Sequence, residues 1–343
     1  MDKDTIIILQ DYKSHFGSKY TSVPYRSGMS KDMLRDEFIS KGYEVKFLEF
    51  SEVKFRDDWK DVIVLYTSQE DFDYKYKSFI EDVILGLELA GAIVLPGYSL
   101  LRANNNKVFM EILRDVIPFE GLKGIQSRGF GAIEEIESSI DNIEFPVVIK
   151  TAGGAMSRGV SSAKSSSELM NQVKKISRSF QPRSELRDFI RSKRHKGYIK
   201  ESRFRNKFII QNMIPNLTND YKVLIYGTKY FFLRRDVKDN DFRASGSGKF
   251  TFETTYPTGM LDYAKAVFEA FNVPNISLDV CFDGSNFHII EFQALNFGTT
   301  TIEKSPFYYL YEKNSFKLIH EPSNLEETFV FSIDNYLQER RRQ

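Results

Sequence analysis

Two carboxylates and an amide in the last third of the chain have the residue types and spacing of a metal site. Asp279 and Glu291 fall on two neighbouring apolar strands, predicted at residues 276–282 and 286–292. Gln293 stands two residues after Glu291, so its side chain points to the same face of the strand. Oxygen ligands of this kind suit Mg²⁺ that bridges the phosphates of ATP. The alternative is that both acids are ordinary outward-facing residues of alternating strands.

A second candidate site follows a predicted strand that ends in a lysine. The strand runs from Pro146 to Lys150, and directly after it come Gly153, Gly154, Ser157 and Gly159. Backbone N–H groups of such a loop can surround phosphate oxygens while the lysine ammonium neutralises them. The loop is not a Walker A sequence, because no Gly-Lys-Ser/Thr follows it. It is not a Rossmann fingerprint either, because no helix opens at its third glycine. A different nucleotide-binding scheme is therefore required.

The composition excludes several classes of protein. With 343 residues, of which 41% are hydrophobic and 14% aromatic, the chain is long enough for two or three domains and is not disordered. Its 48 basic and 47 acidic residues cancel, so nucleic acid or an anionic membrane could be bound only through a local patch. The lone Cys281 forms no internal disulfide, and the four scattered histidines form neither a zinc motif nor a catalytic triad. Because no apolar run suits a signal or a membrane span, we expect a cytoplasmic enzyme or binding protein.

The elements that must position these residues change character along the chain. The first hundred residues predict strands that alternate with helices, the pattern of a parallel α/β sheet, at 5–9, 30–41, 44–50, 61–67, 78–89 and 92–96. Gly42 stands where a glycine belongs after a helix. Helices are predicted at 104–115, 132–140 and, after a capping box at Ser165, at 169–180. The later chain predicts an antiparallel sheet with one further helix, at 208–213, 222–226, 229–235, 261–271, 276–282 and 286–292.

One segment differs from the rest in charge. Between Lys174 and Lys207 there are 13 Lys or Arg residues and 3 acids, a local net charge of +10. A solvated, partly disordered loop would have this composition. The functional alternative is an electropositive flap over an anionic ligand.

Together these segments resemble the ATP-grasp superfamily, which includes glutathione synthetases, D-alanine ligases and the ligases that add glutamate to ribosomal protein. The matching segments, in the family's order, are Asn106-Lys107, Pro146 to Lys150 with its glycine loop, Phe208 to Ile214 with Asp220, Asp241-Phe242-Arg243, Ser277-Leu278-Asp279 and Ile290 to Gln293. The resemblance implies an α/β plus α+β architecture. Its parts would be an N-terminal α/β pre-ATP-grasp domain at 1–100, a lid subdomain at 101–210 with a basic insertion at about 181–205, a C-terminal subdomain at 211–325 and a C-terminal helix or tail at 326–343.

The resemblance also implies a role for each matching residue, with ATP clamped between two subdomains. Lys107 and Lys150 would reach the phosphates and the adenine. The loop from Gly153 to Gly159, with Gly154 and Ser157, would fold over the β- and γ-phosphates. The adenine hinge would consist of Gln211, Asn212, Met213 and Ile214, and Asp220 would lie near the ribose. Arg234 and Arg243 would hold the γ-phosphate and the developing acyl phosphate. Asp279, Glu291 and Gln293 would ligate Mg²⁺.

The sequence departs from the family at the metal site. The family commonly has Glu-x-Asn there, whereas this chain has Glu291-Phe292-Gln293, with Asn296 three residues later, so either amide could serve. Structural alternatives also stay open for single residues. Lys107 could be a solvated helix lysine, Arg234 could pair with Asp236, and Asp220 could cap a turn.

The reaction implied is that of a biosynthetic, ADP-forming ligase, in which ATP activates a carboxylate as an acyl phosphate that an amine attacks. Two alternatives stay open. One is a kinase that uses the same ATP site to phosphorylate a hydroxyl. The other is a non-enzymatic module in which the segment from Lys174 to Lys207 binds RNA or another polyanion, and the nucleotide site is regulatory or lost. We expect ATP and Mg²⁺ as cofactors. The expected substrate is a small-molecule or conjugated carboxylate, and it could carry further negative charge. Nucleic acid is not the expected partner, and a homodimer is one option. Candidate substrate segments are 20–29, with Arg26 and Ser27, together with 245–249 and 297–301.

Overall fold

The structure is a computed structural model of the chain, and its helices and strands form two compact units. It describes residues 4–68, 71–154, 159–215, 217–237 and 249–342. Unit 1 contains residues up to 104, 117–124 and from 217 onward, and unit 2 contains 105–116 and 125–216. The residues predicted as an N-terminal domain and as a C-terminal subdomain thus belong largely to one unit. The four-part division of the chain stays a prediction.

Unit 1 begins with a parallel four-stranded sheet in the order β2-β1-β3-β4. Its strands and helices are β1 (Thr5–Gln10), α1 (Lys31–Ser40), β2 (Glu44–Glu49), β3 (Ile63–Tyr66), α2 (Lys75–Leu89), β4 (Ile93–Leu95) and α3 (Tyr98–Ala103). Strand β1 is apolar at every central position because both of its faces are covered. Ile6 and Ile8 pack into one hydrophobic cluster, and Ile7 and Leu9 pack into another.

The predicted helix–strand alternation of this region is confirmed. Helix α1 begins after Ser30, whose Oγ accepts a hydrogen bond from the Met33 N–H at 3.4 Å. Gly42 follows the helix with φ of +91°, the left-handed conformation that a glycine adopts without steric cost.

Unit 2 contains an antiparallel four-stranded sheet in the order β5-β8-β6-β7. Its elements are α4 (Lys107–Val116), β5 (Ser127–Phe130), α5 (Ile133–Glu137), β6 (Val147–Thr151), β7 (Val160–Ala163), α6 (Ser166–Ile176), α7 (Pro182–Arg194) and β8 (Phe208–Asn212). One sheet face packs on α5 and α6 through a cluster that includes Val147, Ile149, Phe208, Ile210 and Leu169. The basic segment between Lys174 and Lys207 could have been a solvated, partly disordered loop. In the structure its centre forms helix α7 instead.

The rest of unit 1 is an antiparallel sheet in the order β13-β12-β9-β10-β14-β15, with β11 paired to β10. Its elements are β9 (Asn219–Tyr226), β10 (Lys229–Asp236), β11 (Phe250–Thr251), α8 (Met260–Phe271), β12 (Asn275–Phe282), β13 (Phe287–Gln293), α9 (Thr300–Lys304), β14 (Tyr308–Glu312), β15 (Ser315–Ile319) and α10 (Leu325–Arg342). One hydrophobic cluster joins both sheets of the unit and α10, since it contains Ile8, Phe38, Leu224, Tyr226 and Leu337. The helices of the described residues include none that is long and apolar enough to cross a membrane.

Candidate active site

A cluster of alternating charges lies on one face of the antiparallel sheet of unit 1. The Arg235 guanidinium donates from Nε and Nη2 to the two carboxylate oxygens of Asp220, at 2.6 and 2.9 Å. The same Nη2 lies 2.9 Å from Oδ2 of Asp279. Lys222 Nζ donates to Ser277 Oγ at 2.9 Å and lies 3.5 Å from Asp279 Oδ1. Two cations and two anions thus form one connected group.

The strand register brings these residues together. Asp220 pairs with Arg235 across β9 and β10, and Lys222 pairs with Asp279 across β9 and β12. Residues that lie opposite each other on neighbouring strands share a face, and residues two apart on one strand do so as well. The turn at Gly227-Thr228 sets the β9–β10 register, because Tyr226 pairs with Lys229 on either side of it.

Burial and the neighbouring cations act in opposite directions on the two acids. Burial raises the pKa of Asp220 to about 6, although Arg235 lowers it. Burial also acts to raise the pKa of Asp279, but Arg235 and Lys222 together lower it to about 2. Among the described residues Asp279 contacts two cations and Asp220 contacts one, and the negative charge of Asp279 further raises the pKa of Asp220. Asp279 is therefore a carboxylate at every physiological pH.

Glu291 and Gln293 extend the same face to the edge strand β13. Asp279 pairs directly with Glu291, and Ser277 pairs with Gln293. Gln293 Nε2 lies 3.3 Å from Glu291 Oε1, and this leaves the amide oxygen available as an acceptor. Each oxygen of a carboxylate has two lone-pair sites, so the ion pairs of Asp279 do not exhaust its capacity to bind. The donor set is two opposed carboxylates and one amide oxygen, which fits a hard divalent cation such as Mg²⁺.

The two adjacent arginines of β10 lie on opposite faces of the sheet. Arg234, the predicted catalytic residue, is 34% exposed and pairs with Asp236 at 3.0 Å and Glu253 at 3.2 Å. The ion pair with Asp236 is the structural alternative that the sequence analysis gave for Arg234. Arg235, which the sequence analysis missed, lies with Asp279 on the charged face. Counting outward from the turn at Gly227-Thr228 would have placed Arg235 opposite Asp220.

Unit 2 brings Lys150 and Gln211 onto one sheet face, opposite its hydrophobic core. Lys150 pairs with Ile209 and Val148 pairs with Gln211, so the two polar side chains are diagonal neighbours on β6 and β8. Both are buried. Gln211 Nε2 has no hydrogen-bond partner among the described residues. A buried amide donor without a partner costs free energy, so this group is suited to a ligand acceptor.

Lys107 begins helix α4 and binds the glycine segment of the same unit. Its backbone N–H donates to the Ala152 carbonyl at 2.8 Å, and its buried Nζ donates to the Gly154 carbonyl at 3.0 Å. The lysine is therefore not a solvated helix residue. Thr151 closes the base of the loop, because its Oγ1 donates to the Gly153 carbonyl at 2.6 Å and its N–H donates to the Gly159 carbonyl at 3.0 Å.

The remaining predicted residues fall at the end of β8 or outside the described part of the chain. The Asn212 N–H donates to the Gln126 carbonyl at 3.1 Å, and the Met213 N–H donates to the Pro146 carbonyl at 3.4 Å. Ile214 is half-buried in the segment that follows. Ser157 and Arg243, with the candidate substrate residues 245–248, lie outside the described residues.

Two candidate substrate segments meet within unit 1. The Tyr20 N–H donates to Thr299 Oγ1 at 2.9 Å and to Glu303 Oε1 at 2.7 Å, and the Thr21 N–H donates to Glu303 Oε2 at 3.0 Å. Lys19 and the buried Glu326 form an ion pair of 2.7 Å nearby. A small cavity of about 50 Å³ adjoins these contacts, and most of its lining is apolar; Gly17, Ser18, Asn296, Phe297 and Thr299 contribute to it.

Comparison with known proteins gives a consistent result at the level of structure. Neither a protein-family model nor a curated protein matched the sequence. The structure is similar to that of the D-cycloserine synthetase DcsG, with a TM-score of 0.55, 10% identity, and 97% of this chain and 99% of that chain covered. For the D-alanine–D-alanine ligase of Bacillus anthracis the TM-score is 0.53, the identity is 14% and both chains are covered to 99%. A RimK domain ATP-grasp protein of Sphaerobacter thermophilus gives a TM-score of 0.51 at 12% identity, with 96% of this chain and 98% of that chain covered. The chain therefore has the ATP-grasp fold.

Proposed function

We propose that this protein is an ATP-dependent ligase that joins a carboxylate to an amine and releases ADP and phosphate. The observation that carries the proposal is the sheet face on which Asp279 and Glu291 lie directly opposite each other beside Arg235 and Lys222. Two acids next to two cations are the two kinds of charged group that a phosphoryl-transfer site needs. The acids would hold a divalent cation, and the basic side chains would contact anionic oxygens.

The nucleotide half of the site is proposed from residues of unit 2. Lys150 would neutralise phosphate charge, and the glycine loop whose carbonyl binds Lys107 would supply backbone N–H donors. The buried amide Nε2 of Gln211 would donate to the adenine. Asn212, Met213 and Ile214, which come next in the chain, would line the adenine beside Gln211. Ser157 and Arg243 keep their predicted roles at the phosphates.

The transfer half of the site is proposed from residues of unit 1. Asp279, Glu291 and Gln293 would hold Mg²⁺, which neutralises phosphate charge and aligns the γ-phosphoryl group when it is bound. Arg235 and Lys222 would stabilise the charge that spreads over the transferred group. Asp220 uses both carboxylate oxygens to orient Arg235, so we propose it as a positioning residue in addition to its predicted place near the ribose. The role of Arg234 at the γ-phosphate stays a prediction. In the structure Arg234 pairs with Asp236 and Glu253 on the opposite face of the sheet from Asp279.

The reaction proceeds in two balanced steps. A carboxylate oxygen of the substrate attacks the γ-phosphorus of ATP, the bond from that phosphorus to the β,γ-bridging oxygen breaks, and ADP leaves. An amine then attacks the acyl carbon of the acyl phosphate, and phosphate leaves with the bonding electron pair while the amine loses a proton. We propose that the carboxylate binds near the segments that contain Tyr20 and Thr299, which lie at the carboxyl-terminal side of β13.

The test is a screen of carboxylate and amine pairs with ATP and Mg²⁺ in which ADP and phosphate are measured together. Glu291→Gln should lower turnover at least about a hundredfold, because it removes the negative charge of one carboxylate that would hold the metal ion. Glu312→Gln, an exposed substitution on β14 of the same sheet, is the matched control and should retain the wild-type rate. Wild-type ADP production by Glu291→Gln would refute the metal assignment. ADP formed with a phosphorylated product and no phosphate would replace the ligase by a kinase.

A further inference from the structure

Helix α7 exposes the apolar side chains that a surface helix normally buries. Leu186, Phe189 and Ile190 are 62%, 52% and 40% exposed, and Ile199 in the following loop is 89% exposed. The spacing of the three helical residues places them on one stripe of the helix. We call these four residues the α7 patch. The buried residue of α7 is instead Asp188.

Polar contacts hold this orientation. The Tyr198 hydroxyl donates to Asp188 Oδ1 at 2.9 Å, and the Glu201 N–H donates to Asp188 Oδ2 at 3.3 Å. The other acid of the helix, Glu185, accepts from Arg203 Nε at 2.8 Å. Both acids are therefore engaged with the segment that follows the helix, and Asp188 lies on the side of the helix opposite Leu186 and Ile190.

Cations flank the α7 patch. Between residues 182 and 196, five cationic side chains are exposed and make no ion pair with any residue in the described ranges: Arg183, Arg187, Lys193, Arg194 and Lys196. Lys193 and Lys200 lie over the Phe189 ring, with Nζ at 5.8 and 6.0 Å from its centroid. The net charge of +10 between residues 174 and 207 is therefore presented together with an apolar stripe.

We propose that α7 docks on an anionic lipid surface, with the α7 patch in the headgroup region and the flanking cations on the lipid phosphates. A helix with a basic face beside an exposed Leu, Phe and Ile stripe has the composition of an interfacial helix. A second copy of the chain is a poor occupant, because it would bring +10 against +10. Nucleic acid would use the cations but would leave Leu186, Ile190 and Ile199 without a role. This proposal does not depend on the proposed ligase activity.

The test is flotation of the full-length protein with vesicles of phosphatidylcholine alone and with about 30% phosphatidylglycerol. Wild-type protein should bind the anionic vesicles and not the neutral ones. Arg187→Gln with Arg194→Gln should lower the partition coefficient about 25-fold, since each cation near such a surface contributes about fivefold. Leu186→Ser with Ile190→Ser should lower it about tenfold or more, because less apolar area enters the headgroup region.

Matched variants elsewhere on the surface separate the patch from general effects. Leu89→Ser on α2 removes an apolar side chain that is 81% exposed, and Lys41→Gln with Arg56→Gln removes two exposed cations. Both controls should bind anionic vesicles as the wild type does, and so should Glu291→Gln if the lipid site is independent of the active site. All substituted side chains of α7 are exposed, so thermal unfolding should be unchanged.

Three results would overturn the proposal. The first is equal binding to neutral and anionic vesicles, and the second is binding that Leu186→Ser with Ile190→Ser leaves unchanged. The third is no vesicle binding at low ionic strength. Binding of polyuridylate that resists the apolar substitutions, in the absence of vesicle binding, would assign the cations to nucleic acid instead.

Discussion

Replacing Arg235 by alanine would remove the one cation among the described residues that contacts both Asp220 and Asp279. In the part of the chain that the structure describes, Asp220 has no other cation within ion-pair distance, and its side chain is 5% exposed. Asp279 would keep Lys222 at 3.5 Å. The substitution would therefore leave the buried carboxylate of Asp220 with no cation in contact from the described ranges, and only the more distant charge of Lys222 would still favour it.

The expected cost of this change is about 3–5 kcal/mol, the range for breaking a buried ion pair by removing one partner. Arg234→Ala on the same strand is the matched control. Arg234 is 34% exposed and its ion pairs lie near the surface, so its loss should cost no more than about 1 kcal/mol. At about 2 °C per kcal/mol for a protein of this size, the thermal midpoint should fall by about 6–10 °C for Arg235→Ala. The midpoint of Arg234→Ala should fall by about 2 °C at most.

The pH dependence provides a second readout. Burial already raises the pKa of Asp220 to about 6 from its ordinary value of 3.8, and loss of Arg235 raises it further. A raised native-state pKa means that the folded protein binds a proton where the unfolded chain does not, so stability increases as the pH falls through that value. The loss in midpoint for Arg235→Ala should therefore be smaller at pH 5 than at pH 8. Asp220→Asn in the Arg235→Ala background should restore part of the midpoint.

Thermal unfolding of the two arginine variants by calorimetry at both pH values is the measurement. Equal losses for Arg234→Ala and Arg235→Ala would refute the reasoning, because it depends on the two side chains having different burial. If the fall in thermal midpoint for Arg235→Ala is the same at both pH values, the destabilisation does not come from an unpaired Asp220 carboxylate.

Three further changes test other parts of the structure. Burial acts to raise the pKa of Glu303, but its hydrogen bonds lower it, so Glu303→Gln should lower stability by about 1–2 kcal/mol at neutral pH. This difference should vanish as the pH falls through the lowered native-state pKa, and a thermal midpoint gap that persists in acid would contradict the assignment. Gln211→Leu should raise KM for ATP at least about tenfold without lowering the thermal midpoint, since it removes a buried donor that has no partner; an unchanged KM would exclude Gln211 from the nucleotide site. Gly28→Ala would place a Cβ 2.2 Å from the Phe16 carbonyl oxygen at φ of +82°, and should cost at least about 2 kcal/mol more than Gly42→Ala, which meets nothing within 4 Å; equal midpoints would disprove the clash.

The parts of the fold that the sequence predicted are those in which local pattern and burial agree. Strand β1 is an uninterrupted apolar run because both faces of a parallel sheet are covered, and this makes its position readable. Helix α7 was not predicted, because the charge of its segment dominates the composition. Its orientation depends on the hydrogen bond between Tyr198 and Asp188, which are ten residues apart. Helix ends were less accurate, as the helix predicted to end at Phe180 ends at Ile176.

The candidate site shows where strand alternation is sufficient and where register is needed. Asp279, Glu291 and Gln293 were placed together correctly because a hairpin and a period of two fix their face. The choice between Arg234 and Arg235 depends on the pairing between β9 and β10, and a displacement of one residue moves a side chain to the other face. The charged group of Asp220, Arg235, Lys222 and Asp279 joins the three strands β9, β10 and β12, which no local pattern reveals.

The hydrophobic cluster that joins Ile6 and Ile8 to Leu337 determines when unit 1 can be completed during synthesis. The first strand is synthesised more than three hundred residues before the helix that covers part of its core, and Tyr43 precedes its hydrogen-bond partner Asp334 by 291 residues. Unit 2, whose residues all lie between positions 105 and 216, can assemble while translation of the rest continues. Until α10 is synthesised, the N-terminal residues of this cluster therefore lack part of the apolar surface that covers them in the folded protein.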